Sequence, residues 1–214
     1  LTSVGNFLYF KADSSNGSGS ELYRTDGTII EMTYDVVPGI AGSSIDFIFN
    51  YDGAALFSAY TTAYGRELYV NAPPIQTMLA DLQVGSSSSN PSSLINYNDE
   101  VYFNAYRSDV GYELFRTNGI ELELAADLNE GTFNSNINNL NVVSNYLYFM
   151  ATNPTFGMEL YRIDEDGEVN LIADLTAGSN ASDLVQFIKI NNQKLMFFQR
   201  DLINNKFTLY SLTP

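Results

Sequence analysis

The chain of 214 residues carries 25 acidic and 10 basic side chains, a formal net charge of −15, and it has neither histidine nor cysteine. A negative field repels phosphate backbones and anionic lipid, so we expect no nucleic-acid partner. No apolar run approaches the roughly 18–20 residues that a membrane helix requires, so we expect no membrane insertion. Without histidine and cysteine, the commonest metal ligand, thiol catalysis and disulfides are all excluded. We therefore expect neither a metal nor a cofactor.

One short motif recurs along the chain: "GSELYRTDG" at 19–27, "GRELYVNA" at 65, "GYELFRTNG" at 111 and "GMELYRIDEDG" at 157. Its glutamates follow one another at steps of 46 residues, and so do the glycines two positions before them. These glutamates are Glu21, Glu67, Glu113 and Glu159. A divergent fifth copy ends the chain, with Thr208 at the glutamate position. The period predicts five repeats, at about 1–38, 43–85, 92–131, 138–178 and 182–214.

Each repeat contains four strand-like segments, which in the third are "SSLINY", "EVYFNAY", "YELFRTN" and "IELELAADL". The last two meet at Asn118-Gly119, a strong hairpin signal, and the apolar residues alternate with period two. Repeats of 40–50 residues with four strands each are typical of a β-propeller. We predict an all-β fold: a single propeller domain over 1–214 with five blades, the last blade incomplete. A larger ring is the alternative.

The segments "GSELYRTDGT", "DVVPGIAGSS" and "LTSVGNFLYFKA" resemble the ELWxxDGT repeat family of bacterial secreted and surface proteins. The resemblance extends over essentially the whole chain, with Tyr23, Tyr69, Phe115 and Tyr161 in place of the family's tryptophan. It implies a propeller-like array on an exported protein, in an extracellular or cell-surface location. The family brings no defined catalytic residues.

The repeated acidic residues have two interpretations. One carboxylate per blade could form a ring of ligand or cation sites. Alternatively, each glutamate accepts hydrogen bonds from backbone amides or pairs with the arginine three residues on, and we favour this structural role. Aspartates at a matching step precede Gly- and Ser-rich turns, and we expect them to bond to amides two residues on. These are Asp35, Asp81, Asp127 and Asp174.

Aromatic residues outside the repeated positions are the candidate ligand-binding residues. They lie in or beside the loop between the second and third strands of a blade, where side chains vary on a constant frame. We select Tyr64, Tyr106, Tyr112 and Phe156. Aromatic rings stack on sugar faces, although burial between blades is the alternative for each of them.

No catalytic signature is present, so we expect no enzyme. Glycoside hydrolysis needs only two carboxylates, but the inner strands offer just Asp46 and Asp183, in blades that are not adjacent in a ring of five. The leading prediction is an exported recognition or adhesion module that binds a glycan or surface polymer. The alternatives are an architectural subunit or spacer and, more distantly, a glycoside hydrolase. We also expect the edge of the last blade to accept a strand from a partner or from the parent chain.

Overall fold

The computed structural model describes residues 1–13, 17, 19–201 and 203–213, and within these residues every regular element is a β-strand. The strands form five antiparallel sheets, each of which falls within one sequence repeat. The first four sheets have four strands, and the fifth has three in the described part of the chain. The fold is the predicted all-β propeller of 46-residue repeats with a shorter fifth blade.

In every sheet the strands follow one another in chain order, so the topology is a simple meander. The first sheet comprises β1 (Thr2–Val4), β2 (Phe7–Asp13), β3 (Ser20–Thr25) and β4 (Ile30–Tyr34). The second comprises β5 (Ile48–Tyr51), β6 (Ala54–Thr61), β7 (Gly65–Ala72) and β8 (Ile75–Met78). The third comprises β9 (Ser92–Tyr97), β10 (Glu100–Arg107), β11 (Gly111–Thr117) and β12 (Leu122–Ala126).

The fourth sheet comprises β13 (Asn138–Val143), β14 (Tyr146–Asn153), β15 (Gly157–Ile163) and β16 (Val169–Ala173). The fifth comprises β17 (Leu184–Ile190), β18 (Lys194–Asp201) and β19 (Lys206–Leu212). The chain divides into two compact units. The first unit is Leu1–Leu94 with Ala105–Arg107 and Thr117–Glu123, and the second is Ile95–Asn104, Ser108–Arg116 and Leu124–Pro214.

The core of the first unit lies between the first and second sheets. Tyr9 and Leu22 of the first sheet pack with Phe57 and Tyr69 of the second in one buried cluster. The first strands of the two sheets are neighbours, and the Thr2 hydroxyl donates a hydrogen bond of 2.7 Å to the Ile48 carbonyl oxygen. Each sheet is too thin to bury its apolar face alone, so the neighbouring sheet provides the cover.

The second unit contains two such sheet–sheet cores, one on each side of the fourth sheet. The fourth sheet is therefore covered on both faces. Phe149 packs in a cluster with residues of the third sheet, whereas its neighbour Met150 packs with residues of the fifth. Both side chains are almost completely buried. Successive residues of a strand point to opposite faces, which explains why apolar residues occupy both odd and even positions of β14.

The glycine that opens each repeated motif is required by close packing. Gly65 has a φ of 66°, and a β-carbon there would lie 2.2 Å from the Ser87 carbonyl oxygen. At Gly111 the φ is 79°, and the corresponding distance to the Phe133 carbonyl oxygen is 2.3 Å. The segment that connects one sheet to the next therefore runs directly against this glycine, in a conformation that L-residues avoid.

This packing predicts that Gly65→Ala destabilises the protein far more than Gly85→Ala. Gly85 also has a positive φ, 88°, but no atom lies within 4 Å of the position of its β-carbon. We expect Gly85→Ala to cost about 1–2 kcal/mol for the backbone conformation alone, and Gly65→Ala several kcal/mol. Urea denaturation of the two variants measures the difference. Equal losses would contradict the close-packing explanation.

Candidate functional site

The repeated glutamates are buried rather than presented to a ligand. Glu21, on β3, accepts hydrogen bonds from the backbone N–H groups of Val36 at 3.0 Å and Ser43 at 2.8 Å. Glu113, on β11, accepts from Leu128 at 3.1 Å and from Ser135 at 2.9 Å. The four carboxylates are at most 1% exposed. This is the structural role favoured from the sequence.

A serine in each segment between sheets completes this arrangement, which we call the carboxylate–serine clasp. The clasp serines are Ser43, Ser89, Ser135 and Ser182, and they are all buried. The Ser43 N–H also donates to the Ser20 carbonyl, while the Ser43 carbonyl accepts from the Tyr60 N–H at 2.7 Å. Since Ser20 is in the first sheet and Tyr60 in the second, one serine joins two neighbouring sheets.

Pairing of the glutamates with the arginines three residues on is not what the structure shows. Arg24 forms a salt bridge of 2.6 Å with Glu31, and Arg116 forms one of 3.2 Å with Glu100. Arg162 lies over the ring of Tyr146, at 4.3 Å from its centroid. The amide interpretation is therefore the correct one of the two structural alternatives.

Burial makes the clasp carboxyls weaker acids than ordinary glutamates. It raises the pKa of Glu67 and of Glu113 from an ordinary 4.5 to about 7, because the charged form loses its hydration. Hydrogen bonds from Ser89 and Ser135 oppose this effect. Burial also raises the pKa of Glu21 and of Glu159. Packing is the cause of these raised pKa values, so they do not by themselves indicate a catalytic role.

Two of the four repeated aspartates, Asp81 and Asp174, hold turns, but at a different offset from the predicted one. The Oδ2 atom of Asp81 accepts a hydrogen bond of 3.1 Å from the Gly85 N–H, and Asp174 accepts one of 3.2 Å from Gly178. Both donors lie four residues on rather than two, because the turn between sheets is wider than an Asx turn. The Oδ1 atom of Asp81 is buried without a hydrogen-bond partner.

The four candidate aromatic residues occupy the loop ends of three sheets. Tyr64 lies in the turn between β6 and β7 and is 44% exposed. Phe156, at the equivalent position before β15, is half-buried. Tyr106 on β10 and Tyr112 on β11 are also half-buried, and the Tyr106 N–H donates to the carbonyl of the clasp residue Ser89. Tyr64 is thus the most exposed of the four.

A groove in the second unit presents an aromatic ring that the sequence interpretation missed. It has a volume of about 530 Å³ and lies between the segment after β12 and the turn before β15. Its lining residues are Asp127, Leu128, Asn129, Glu130, Phe133, Asn153, Pro154 and Thr155. The Phe133 side chain is 68% exposed, and none of the four predicted aromatics is among the lining residues. We call this the Phe133 groove.

The sequence did contain a signal for Phe133. The corresponding positions in the other connecting segments are Ala41, Ser87 and Asn180, so Phe133 is the one aromatic residue at this place in the repeat. Similar grooves recur elsewhere. One of about 410 Å³ lies between the fourth and fifth sheets, and one of about 540 Å³ in the first unit has Lys11 and Arg66 in its wall.

The two acids considered for hydrolysis have other contacts. Asp183 forms a salt bridge of 2.5 Å with Arg200, which also donates its N–H to the Asp183 carbonyl. The backbone N–H of Asp46, two residues before β5, donates to the carbonyl of Ser58 on β6. Within the described ranges, no three acidic side chains gather in a way that could hold a metal ion. The same residues contain no helix long and apolar enough to cross a membrane.

No family model and no curated protein matches the chain. Among solved structures, an acylaminoacyl peptidase of Pyrococcus horikoshii is 14% identical, with a TM-score of 0.52, over 94% of this chain and 32% of that one. A puromycin hydrolase is 13% identical, with a TM-score of 0.51, over 92% and 32%. The GH74 xyloglucanase of Xanthomonas campestris is 10% identical, with a TM-score of 0.50, over 98% and 35%. The chain spans about a third of these proteins, and the likeness shows the propeller fold alone.

The raised pKa values of the clasp carboxyls predict that stability falls as the pH increases. Because the pKa of Glu67 is about 7 in the folded protein, its contribution is complete below about 4.5 and is lost as the pH rises through about 7. We expect Glu67→Gln to flatten the dependence of the melting temperature on pH over this interval. The exposed Glu121→Gln is the matched control and should keep the wild-type slope. A wild-type slope in Glu67→Gln would disprove the linkage.

Proposed function

We propose that the chain is a non-catalytic recognition module of an exported protein and that it binds carbohydrate at the Phe133 groove. The observation that carries the proposal is the exposed Phe133 ring in a groove lined also by amide and carboxylate side chains. A sugar ring offers C–H groups that stack on an aromatic face and hydroxyl groups that need hydrogen-bond partners at its edge. The groove provides both kinds of group, at a volume in the range of small-molecule sites.

The polar groups of the groove are positioned by the fold. The Asn153 side-chain amide donates a hydrogen bond of 2.8 Å to the Leu128 carbonyl, and that of Asn129 donates one of 3.0 Å to Asn134. The Oδ1 atom of Asn153 also accepts a hydrogen bond of 2.9 Å from the Thr155 N–H, which holds the amide in place. A carbonyl oxygen has two lone pairs, so the Oδ1 atoms of both asparagines can accept from a sugar hydroxyl. An acceptor whose orientation is already set loses little entropy when a ligand binds.

The backbone that presents the Phe133 ring is similarly restrained. The Phe133 carbonyl lies against Gly111, and two residues later Ser135 is held in the clasp by Glu113. The ring therefore projects from a fixed segment, so little ordering is required on binding. Grooves that recur between sheets would also let several weak contacts act together on a polymer.

The net charge restricts the class of glycan. With −15 charges on the chain and Asp127 and Glu130 in the groove wall, an anionic polymer is repelled. Neutral polysaccharides are therefore the ligands that fit the site best, whereas sulfated and uronic acid polymers fit poorly. This preference for neutral glycans distinguishes specific binding at the groove from non-specific adhesion.

An architectural role in a surface layer or filament is the second candidate function. Apolar side chains exposed on the fifth sheet favour it, with Ile188 at 51% and Phe207 at 56% exposure. Defined oligomers without any ligand would support this candidate over recognition.

A glycan array followed by calorimetry tests the recognition proposal. We expect binding to neutral glycans and not to anionic ones, and Phe133→Ala to weaken it at least tenfold through loss of stacking area. Ile120→Ala removes another exposed apolar side chain, at 78% exposure, from a hairpin turn and should bind as the wild type does. Tyr64→Ala tests whether the loop aromatics contribute to binding. If the ligand binds at the Phe133 groove, this variant should bind as the wild type does. Absence of binding to every glycan on the array would refute glycan binding. Release of new reducing ends from a bound glycan would refute the non-catalytic role.

A further inference from the structure

A second groove, in the first unit, has two basic side chains in its wall. Its volume is about 540 Å³, and Lys11 of β2 and Arg66 of β7 are among its lining residues. The whole chain has only 10 basic residues against 25 acidic ones. Two of these few cations therefore line one small groove, which we call the Lys11–Arg66 groove.

Neither cation belongs to the repeated pattern of the fold. The positions equivalent to Lys11 in the next three sheets hold Ser58, Asn104 and Met150. Arg66 directly precedes the clasp residue Glu67, and the residues that precede the other clasp glutamates are Ser20, Tyr112 and Met158. The other sheets form with uncharged residues at both places, so the fold does not require either positive charge.

Both cations are anchored to the same short segment of backbone. The Lys11 Nζ atom donates a hydrogen bond of 3.0 Å to the Ile45 carbonyl oxygen, and the Arg66 guanidinium donates one of 3.1 Å to the Ser58 hydroxyl. The carbonyl of Ser58 in turn accepts from the Asp46 N–H, the residue after Ile45. Each partner is a neutral oxygen, so the two positive charges stay uncompensated and keep further N–H donors for a ligand.

Other arginines of the chain are paired with a carboxylate. Arg24, Arg116 and Arg200 each form a salt bridge. In the part of the chain that the structure describes, Lys11 and Arg66 form none. Two anchored cations without counter-ions suit a ligand carboxylate, and a guanidinium can bind one in bidentate geometry.

The same groove also has two carboxylates in its wall. They belong to Asp13 and Asp46, which are both exposed, and neither is in a salt bridge among the described residues. A purely anionic ligand would meet these carboxylates and the field of a chain with 15 excess negative charges. A ligand with one carboxylate and one ammonium group has no net charge, and it can pair with both signs.

Glycine keeps the floor of this groove open. Gly42 lies against the Ser20 backbone, where a β-carbon would be 2.5 Å from the Ser20 nitrogen atom. The equivalent positions in the other connecting segments hold Ser88, Asn134 and Ala181, which all have side chains. Ile40 also lines the groove and is 88% exposed, so it offers an apolar contact. The volume is that of a small-molecule site.

We propose that the Lys11–Arg66 groove binds a small zwitterion, a free α-amino acid or a short peptide. Lys11 and Arg66 bind its carboxylate, Asp13 and Asp46 bind its ammonium group, and Ile40 contacts an apolar side chain. The groove belongs to the first unit and Phe133 to the second. This site is therefore independent of the glycan proposal.

Calorimetry with matched ligands tests the requirement for both charges. The probes are leucine, N-acetyl-leucine, which lacks the ammonium group, leucine methyl ester, which lacks the carboxylate, and the dipeptide Leu-Leu. We expect leucine or Leu-Leu to bind, and the two singly charged derivatives to bind at least tenfold more weakly. Leucine and Leu-Leu differ in the spacing of their charges, so their comparison distinguishes a free amino acid from a peptide. Raising NaCl from about 0.15 M to about 1 M should weaken binding, because the Debye length falls from about 8 Å to about 3 Å.

Substitutions assign the two charges to their partners. Lys11→Met and Arg66→Gln should each weaken binding of the zwitterion at least tenfold, whereas Lys189→Met, which removes an exposed cation from the fifth sheet, should not. The double variant Asp13→Asn/Asp46→Asn should lose the preference for leucine over N-acetyl-leucine. Asp52→Asn, at an exposed turn outside the groove, is its matched control. Circular dichroism and melting temperature confirm that each variant is folded.

Three results would overturn the proposal: no heat of binding with any probe, equal affinity for leucine and N-acetyl-leucine, or binding that survives Lys11→Met together with Arg66→Gln. Phe133→Ala separates this proposal from the glycan proposal. It should leave binding of the zwitterion unchanged, and Lys11→Met should leave glycan binding unchanged. Either site can therefore fail its test without affecting the test of the other.

Discussion

The carboxylate–serine clasp is the interaction on which the rest of this structure depends. A carboxylate cannot be buried without hydrogen-bond donors, since its lost hydration costs several kcal/mol. Here the donors belong to the segment that leads to the next sheet, such as Val36 and Ser43 for Glu21. The glutamate is thus satisfied only when that connecting segment is in place. The glycine two residues earlier lets that segment approach, which explains why glycine and glutamate recur together in the motif.

The clasps set the spacing of the sheets, and apolar packing then provides the cover. In the second unit the fourth sheet is sealed on both sides, with Phe149 on one face and Met150 on the other. The fifth sheet shows the consequence of the same design where a face is open, because its exposed residues occupy positions that other sheets bury.

Binding and stability draw on different positions of the repeat. Glycine, glutamate and clasp serine recur because each connection between sheets has the same geometric requirement. Phe133 stands in a segment where the other copies have Ala, Ser or Asn, and it changes nothing in the clasp beside it. A position whose side chain has no structural role can carry a side chain suited to a ligand. The Phe133 groove is such a departure on a restrained backbone, and for that reason it supports the recognition proposal better than the repeated acids do.

The sequence by itself determined the strand content, the 46-residue period and the five sheets with a shorter last one, since period-two alternation and hairpin turns are local signals. It also indicated the structural role of the glutamates. Only the tertiary structure identified Ser43 and its equivalents as their partners, because these lie 22 or 23 residues away across a turn. The exposure of Phe133, and that of Phe207 and Leu209 on the fifth sheet, was likewise decided in three dimensions. Whether an apolar side chain is covered depends on the neighbouring sheet, and a linear pattern does not contain that neighbour.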